Sequence, residues 1–320
     1  MPAESGPGSP RPSAAVLACG LATLDVIQTV DAVPAANQKI VADDVLVAAG
    51  GPAANAAVTC AALGVPSRLV TRIGDGPLAA AVHADLVAHG VEVLDVAAAG
   101  SAPPVSTVLV TRGTGERAVV SVNGTLAGGA GEVPDRAWDG VVVVLVDGHH
   151  LDLAVACATE ARRRGIPVVL DGGSWKPGLE ALVALADVAV LSDDFAVPGG
   201  GDAPADVRRI GPRLVAQSRG GAPIEVLSDG ERFTVPVPAV DVVDTLGAGD
   251  VLHGALVAFA ARAGVGPSPD DPEVWLTALA WAARVASASC GAHGARGWIG
   301  ADTELARWRA ELNAGRNRLT

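Results

Sequence analysis

The run Asp244-Thr245-Leu246-Gly247-Ala248-Gly249-Asp250 ends on a carboxylate that stands at the head of an apolar, helix-like stretch, residues 251–261. Small residues at 247–249 let backbone N–H groups converge at a helix N-terminus, where unpaired donors and the helix dipole favour an anion. A carboxylate beside such an anion hole is electrostatically unfavourable unless it has a task. Accepting a hydroxyl proton during phosphoryl transfer is one. The same residues also read more plainly, as an N-cap Asp after a glycine turn.

A second group lies near the N-terminus. Asp25 follows the first apolar run, and Gly50-Gly51-Pro52-Ala53-Ala54-Asn55 opens the first long helical pattern. A carboxylate accepts from hydroxyls and an amide both accepts and donates, so Asp25 and Asn55 suit a vicinal diol. Their plain alternatives are a turn-stabilising Asp and an Asn bonded to the loop backbone. The chain has no GxxxxGK[ST] loop, and its first turn, Cys19-Gly20-Leu21-Ala22-Thr23-Leu24-Asp25, lacks GxGxxG.

The elements that must position these residues alternate along the chain. Runs 14–19, 68–73, 141–146, 167–170 and 187–191 are short, rich in β-branched residues and bounded by Gly, Asp or Pro, as buried parallel strands are. Between them, 52–63, 78–89, 151–164 and 176–185 read as helices. Repeated βα units predict a three-layer, doubly wound, mostly parallel sheet. Segments 26–48 and 105–122 instead alternate apolar and polar residues, with Thr114-Gly115 marking a hairpin. They predict either a small separate sheet, able to cover a ligand as a lid, or edge strands of the main sheet.

Composition narrows the partners. Of 320 residues 50% are hydrophobic and 18% charged, which excludes a disordered chain. Aromatics are only 3%, with no Tyr, and the net charge is −12, so nucleic acid lacks both stacking platforms and a basic surface. Cys19, Cys60, Cys157 and Cys290 are scattered without a CxxC, which suggests buried reduced thiols. Residues 1–13 read as a flexible tail rather than a signal peptide, and no apolar run is long enough to span a membrane. A cytoplasmic protein is expected, with residues 14–320 as one catalytic domain.

Asp244-Thr245-x-Gly247-Ala248-Gly249-Asp250, together with Gly50-Gly51-x-Ala53-x-Asn55 and Asp25, resembles the ribokinase (PfkB-type) family of sugar kinases across residues 16–299. The resemblance implies a ribokinase-like fold with a β lid, and transfer of the γ-phosphate of ATP, with Mg²⁺, to a sugar hydroxyl. It implies Asp250 as catalytic base and the backbone of Gly247, Ala248 and Gly249 as anion hole. Thr23, Asp25, Gly50, Gly51 and Asn55 fall at sugar-contacting positions. Ser218, Gly220 and Thr245 fall at nucleotide-phosphate positions, and Cys290 and Gly291 line the adenine pocket. Pairing of lids in a homodimer is also implied, and a monovalent-cation requirement is left open.

The chain departs from the family pattern at three places. The Asn-x-x-Glu element that organises Mg²⁺ is Ser192-Asp193-Asp194-Phe195 here, leaving Asp193 or Asp194 as a substitute. After Ser218-Arg219-Gly220 a usual second glycine gives way near Pro223, and Pro52 replaces the lysine of the ribokinase Gly-Gly-Lys loop, which argues against ribose. The stretches 16–27 and 242–250 look like ketohexokinase. Gly51-Pro52-Ala53-Ala54, Leu170-Asp171-Gly172 and 249–256 look like the sulfofructose kinase branch. Both branches phosphorylate ketoses. Lys39 is similar to that branch's cationic lid position, although a lone lysine on a half-exposed strand is otherwise a solvated edge charge. His149 stands where the branch places an Arg.

A ketose kinase is therefore expected. A nucleoside kinase of the same fold is disfavoured by a lid without aromatics. A non-catalytic sugar-binding regulator would explain the eroded metal element but not the intact Gly-Ala-Gly-Asp turn.

Overall fold

In the computed structural model, which describes residues 14–113, 116–122, 124, 129, 132–265 and 272–315, the buried apolar runs become one sheet of nine strands. Seven are mutually parallel, in the order β5 (Val91–Asp95), β4 (Ser67–Thr71), β1 (Ala15–Cys19), β8 (Val141–Val146), β9 (Val168–Gly172), β10 (Val188–Leu191) and β11 (Leu214–Arg219). Two antiparallel strands, β12 (Ala222–Ser228) and β13 (Glu231–Val235), extend one edge. The chain builds β4 and β5 on one side of β1 and returns for β8 on the other. The crevice beyond the C-terminal ends of β1 and β8 is thus the switch point at which such sheets bind ligands.

Alternate residues of each strand feed opposite faces, which is why these runs are apolar throughout. Val16, Leu145 and Val190 pack under α1 (Pro52–Ala62), α6 (Ala248–Ala263), α7 (Pro272–Ser289) and α8 (Asp302–Gly315). Leu17, Val144 and Ala189 pack under α3 (Leu151–Arg163), α4 (Leu179–Val183) and α5 (Ala203–Ile210). Helix α2 (Pro77–Ala88) places Val82 and Leu86 with Ala18 and Leu69. All four cysteines are buried and free. Among the described residues no helix is long and apolar enough to cross a membrane.

Two helices carry the site, and their mutual approach depends on one glycine. A Cβ at Gly254 of α6 would lie 2.5 Å from the Ala56 carbonyl and 2.7 Å from the Thr59 Cβ of α1. The Cys60 thiol bonds the Gly254 carbonyl at 3.2 Å across the same contact. Close crossing here brings the first turns of α1 and α6 together, and these bear Asn55 and Asp250.

The segments of alternating polarity form a separate four-stranded sheet, ordered β3 (Asp44–Gly50), β2 (Thr23–Val30), β6 (Val105–Thr111), β7 (Arg117–Ser121). Of the two alternatives, the separate sheet is the one realised rather than edge strands of the main sheet, although β2 and β6 run parallel. Two expectations need correction. Residues 31–43 do not continue the strand: Pro34 cannot donate to a ladder, Asn37 turns at φ 63°, and the Gln38 side chain accepts from the Ala35 N–H. Lys39 consequently sits in an exposed loop, not on a strand. The helix expected over 176–185 is confined to 179–183, because Pro177 and the left-handed Gly178 (φ 84°) delay its start. The expected tail, residues 1–13, and the Thr114-Gly115 turn lie outside the described residues. The antiparallel pairing of β6 with β7 runs up to Val110 opposite Arg117.

Candidate active site

Helix α6 begins at Gly247, which is left-handed (φ 76°) and packed so closely that a Cβ would come within 2.5 Å of the Ala295 Cβ. Only glycine fits that turn, and the turn aims the start of α6 at the crevice. The Ala248 N–H, expected to be one of the free anion-hole donors, instead bonds the Thr245 carbonyl at 3.2 Å, and the Val251 N–H bonds the Gly247 carbonyl at 2.8 Å to close the first turn. Asp250, in that first turn, accepts a hydrogen bond from Asn55 Nδ2 at 2.7 Å. The two motifs, 195 residues apart, meet in this bond.

The carboxyl of Asp250 is pushed up to about 7, first by removal from water and then by the nearby Asp171 carboxylate. The bond from Asn55 and the neighbouring His253 pull it the other way, while Asp147 adds to the rise. A carboxylate with this value is half ionised near neutrality, where a general base is most effective. Asp171, buried at the end of β9, is itself raised by burial and faces His253 Nδ1 at 3.5 Å. His253 Nδ1 also meets the Gly249 carbonyl at 2.7 Å and Nε2 the Val190 carbonyl at 3.2 Å, which anchors α6 to β10.

Asp147, buried at the end of β8, holds the sugar-side loops. Its carboxylate accepts from the N–H groups of Leu21 (2.8 Å), Ala53 (3.1 Å) and His149 (2.9 Å), joining the turns after β1, β3 and β8. Thr23 donates to Asp25 Oδ1 at 2.6 Å. The Asp25 carboxylate occupies the space that a Gly50 side chain would need, and Gly51 adopts φ 99° with a prospective Cβ 2.5 Å from the Leu21 carbonyl. These contacts bring Thr23, Asp25, Gly50 and Gly51 together, and the Asn55 N–H bonds the Gly51 carbonyl at 2.9 Å. Lys176 is half-buried and lowered by that burial, against the pull of Asp147 and Asp171. Lys39 has no such setting.

The start of α6 also lines a cavity of about 460 Å³, whose lining includes Ser218, Gly220, Thr245, Ala248, Gly249 and Cys290. Val240, Leu252 and Ala286 give it apolar walls, and Gly221 joins the rim beside Gly220. Ser218 is tied to the sheet through its hydroxyl, which donates to the Leu191 carbonyl at 3.2 Å. Gly291 stands just beyond Cys290. The Cys290 carbonyl accepts from the N–H groups of Val243 (2.8 Å) and Asp244 (3.1 Å), and Asp244 in turn accepts from Leu246 and Gly294, both at 2.9 Å. The cavity therefore has apolar walls together with the first turn of α6 in its lining.

Asp193 is exposed and faces Arg219 Nε at 3.7 Å. No group of three or more His, Cys, Asp and Glu side chains able to hold a metal occurs among the described residues. The donor set thus does not fit a divalent cation caged by the protein.

Three residues of the site escaped the sequence reading. Asp147 follows an apolar strand as Asp25 nearly does, and that position was its signal. Arg117, at the head of β7, donates to the Thr245 hydroxyl and lies 4.0 Å from Asp244. A cation just past a hairpin on a lid strand was the only hint. Arg296 bonds Asn55, and nothing local in the sequence announces it.

The family model for pfkB family carbohydrate kinases matches residues 13–299. An ATP-dependent ribose-1-phosphate kinase of Halopiger xanaduensis is 29% identical over 256 residues, covering 76% of this chain and 83% of that protein. The ribokinase structure from Giardia lamblia superposes with a TM-score of 0.77 at 17% identity, covering 92% of this chain and 99% of its own. A fructokinase with bound ATP from Xylella fastidiosa gives a TM-score of 0.73 at 20% identity, covering 93% and 98%. With nearly its whole length matched, the chain belongs to the pfkB family of carbohydrate kinases.

Proposed function

We propose that this kinase transfers the γ-phosphoryl group of ATP to a hydroxyl of a small ketose, with Asp250 as general base. The observation that carries the reading is the position of Asp250. Its carboxyl, raised to about 7, accepts a hydrogen bond from Asn55 and follows directly on Ala248 and Gly249, which line the cavity. The sugar hydroxyl oxygen attacks the γ-phosphorus while its proton passes to Asp250. The bond to the bridging oxygen breaks as the new O–P bond forms, and ADP leaves with that electron pair. The α6 N-terminus stabilises charge on the transferred group. Asp25 and Asn55 orient the sugar, and closure of the small sheet excludes water. Mg²⁺ belongs to the nucleotide substrate, held by its phosphates, in keeping with a set of described residues that offers no group of three metal-holding side chains.

A second reading is favoured by one comparison, the relative that acts on ribose 1-phosphate. Under it the site takes a phosphorylated pentose, and Lys176 is a candidate partner for the extra anion. ADP release measured against ketoses, pentoses, ribose 1-phosphate and sulfosugars separates the two. Turnover with fructose-like sugars alone supports the first reading, and turnover with ribose 1-phosphate alone replaces it. Sugar binding with no ADP release from any member would establish a regulator instead.

The lid also supports a partner. Its outer strands β3 and β7 expose Val45, Val47 and Val120 on one face and Leu46 and Val119 on the other, apolar edges suited to the lid of a second copy. We propose a homodimer paired in this way.

A further inference from the structure

We infer that Arg296 is a positioning residue for the proton acceptor: its guanidinium fixes the side-chain amide of Asn55 so that nitrogen, not oxygen, faces Asp250. The inference rests on the reading of Asp250 as the base. The two ends of an asparagine amide have nearly the same shape, so their placement is decided by partners. Asn55 is buried, with 7% of its surface exposed, and it has two neighbours of opposite demand. Arg296 Nε and Nη2 approach Oδ1 at 3.2 and 3.1 Å, while Asp250 Oδ2 lies 2.7 Å from Nδ2. Arginine has donors only and an ionised carboxylate acceptors only. A flipped amide would set donor against donor on one side and oxygen against oxygen on the other.

The guanidinium is itself held. Its Nη1 donates to Asp85 Oδ2, which also accepts the Ala49 N–H at 3.1 Å, one residue before the Gly50-Gly51 turn. His89 Nδ1 lies 3.6 Å from the other oxygen of Asp85. One planar fork therefore braces the sugar loop and the amide together, a geometry that a lysine ammonium cannot reproduce. The loop bearing Arg296 is fastened to the Asp244 turn by the Gly294 N–H and by the Cys290 carbonyl, so the fork approaches from a fixed base. Asp250 also faces Asp171 and Asp147 from the strand ends and His253 from its own helix. Among these neighbours the Asn55 amide is the one whose orientation can change the sign of its effect. Donation from nitrogen favours the ionised base, whereas a carbonyl oxygen turned toward Asp250 favours the protonated acid.

The test is a cycle of Arg296→Ala, Asn55→Ala and the double variant, each followed as kcat/KM against pH. In Arg296→Ala the acidic limb is expected to move up by about half a pH unit or more, an activity loss of about threefold on that limb. The double variant is expected to show no shift beyond that of Asn55→Ala. A limb unmoved in Arg296→Ala overturns the inference, as do shifts that simply add, since these would mean Arg296 acts on Asp250 through charge alone. If the alanine variant does not fold, Arg296→Lys reads the same limb with the same expected direction. The Asn55 side-chain amide resonance in protein labelled with [15N]asparagine reports the Asp250 titration without turnover. An inflection that stays put in the Arg296 variants overturns the inference even if Asp250 proves not to be the base.

Discussion

At the scale of single residues the proposed mechanism turns on the proton held by Asp250. Because its carboxyl is raised to about 7, kcat/KM should climb with pH through that value as the base ionises. Asp250→Asn should retain sugar binding and lose about two to four powers of ten in kcat. A variant with unchanged kcat would remove Asp250 from the mechanism. The same shift has a consequence for stability with the opposite sense. A carboxyl raised in the folded state supports folding fully below its unfolded value near 4, and that support is lost as pH rises through about 7. Above pH 7 the wild type therefore carries a half-buried charge that asparagine lacks. The Asp250→Asn variant should melt higher than wild type at pH 8, on the order of 2–6 °C, with the gain gone at pH 4. Equal melting temperatures at both pH values would contradict the assigned shift. Asp250 and Asn55 stand out in the sequence because each sits in or after a glycine-rich turn with a recognisable spacing, and Asp25 only because it closely follows the first apolar run. Asp147 and Arg296 were not, since a carboxylate after a strand and an arginine in a loop acquire meaning only when distant segments are brought against them.

At the scale of elements, the meeting of α1 and α6 sets the distance between sugar-side and phosphate-side groups. Gly254 has no backbone reason to be glycine, for it lies in mid-helix, and its requirement is the Ala56 carbonyl at 2.5 Å from any added Cβ. Gly254→Ala should cost about 1–3 kcal/mol by overpacking, measured by chemical denaturation. Separating the helices should also lengthen the Asn55–Asp250 bond, so kcat should fall more than the KM for ATP rises. A fully active variant of unchanged stability would show that the helices slide without consequence. The parallel strands were readable because burial on both faces makes them continuously apolar. The break at 31–43 and the late start of α4 were not, although Pro34, Pro177 and Gly178 were in plain view. In each case apolar periodicity on either side outweighed a local signal, and the backbone obeyed the local signal.

At the scale of the whole molecule, charge and exposed surface must be weighed together. A net charge of −12 repels a second acidic copy as it repels ATP, so any dimer must be held by local apolar burial rather than by long-range attraction. The lid offers that burial. Val120 on β7 is 75% exposed, Val45 and Val47 on β3 are each more than half exposed, and among the described strands β3 and β7 are the two edges of the small sheet. Edge strands of this length are protected in monomers by charge or proline, and neither interrupts 45–49 or 118–120. Pairing the lids would cover the valines and the edges at once. It would also couple closure over one sugar to the neighbouring lid. Light scattering at micromolar concentration should give the mass of two chains, and Val120→Lys should give one. Because apolar contact dominates and like charge opposes it, raising salt should tighten the wild-type dimer. A wild-type monomer at both salt levels would leave the lid edges exposed and sink the paired arrangement. A dimer that survives Val120→Lys would place the interface elsewhere.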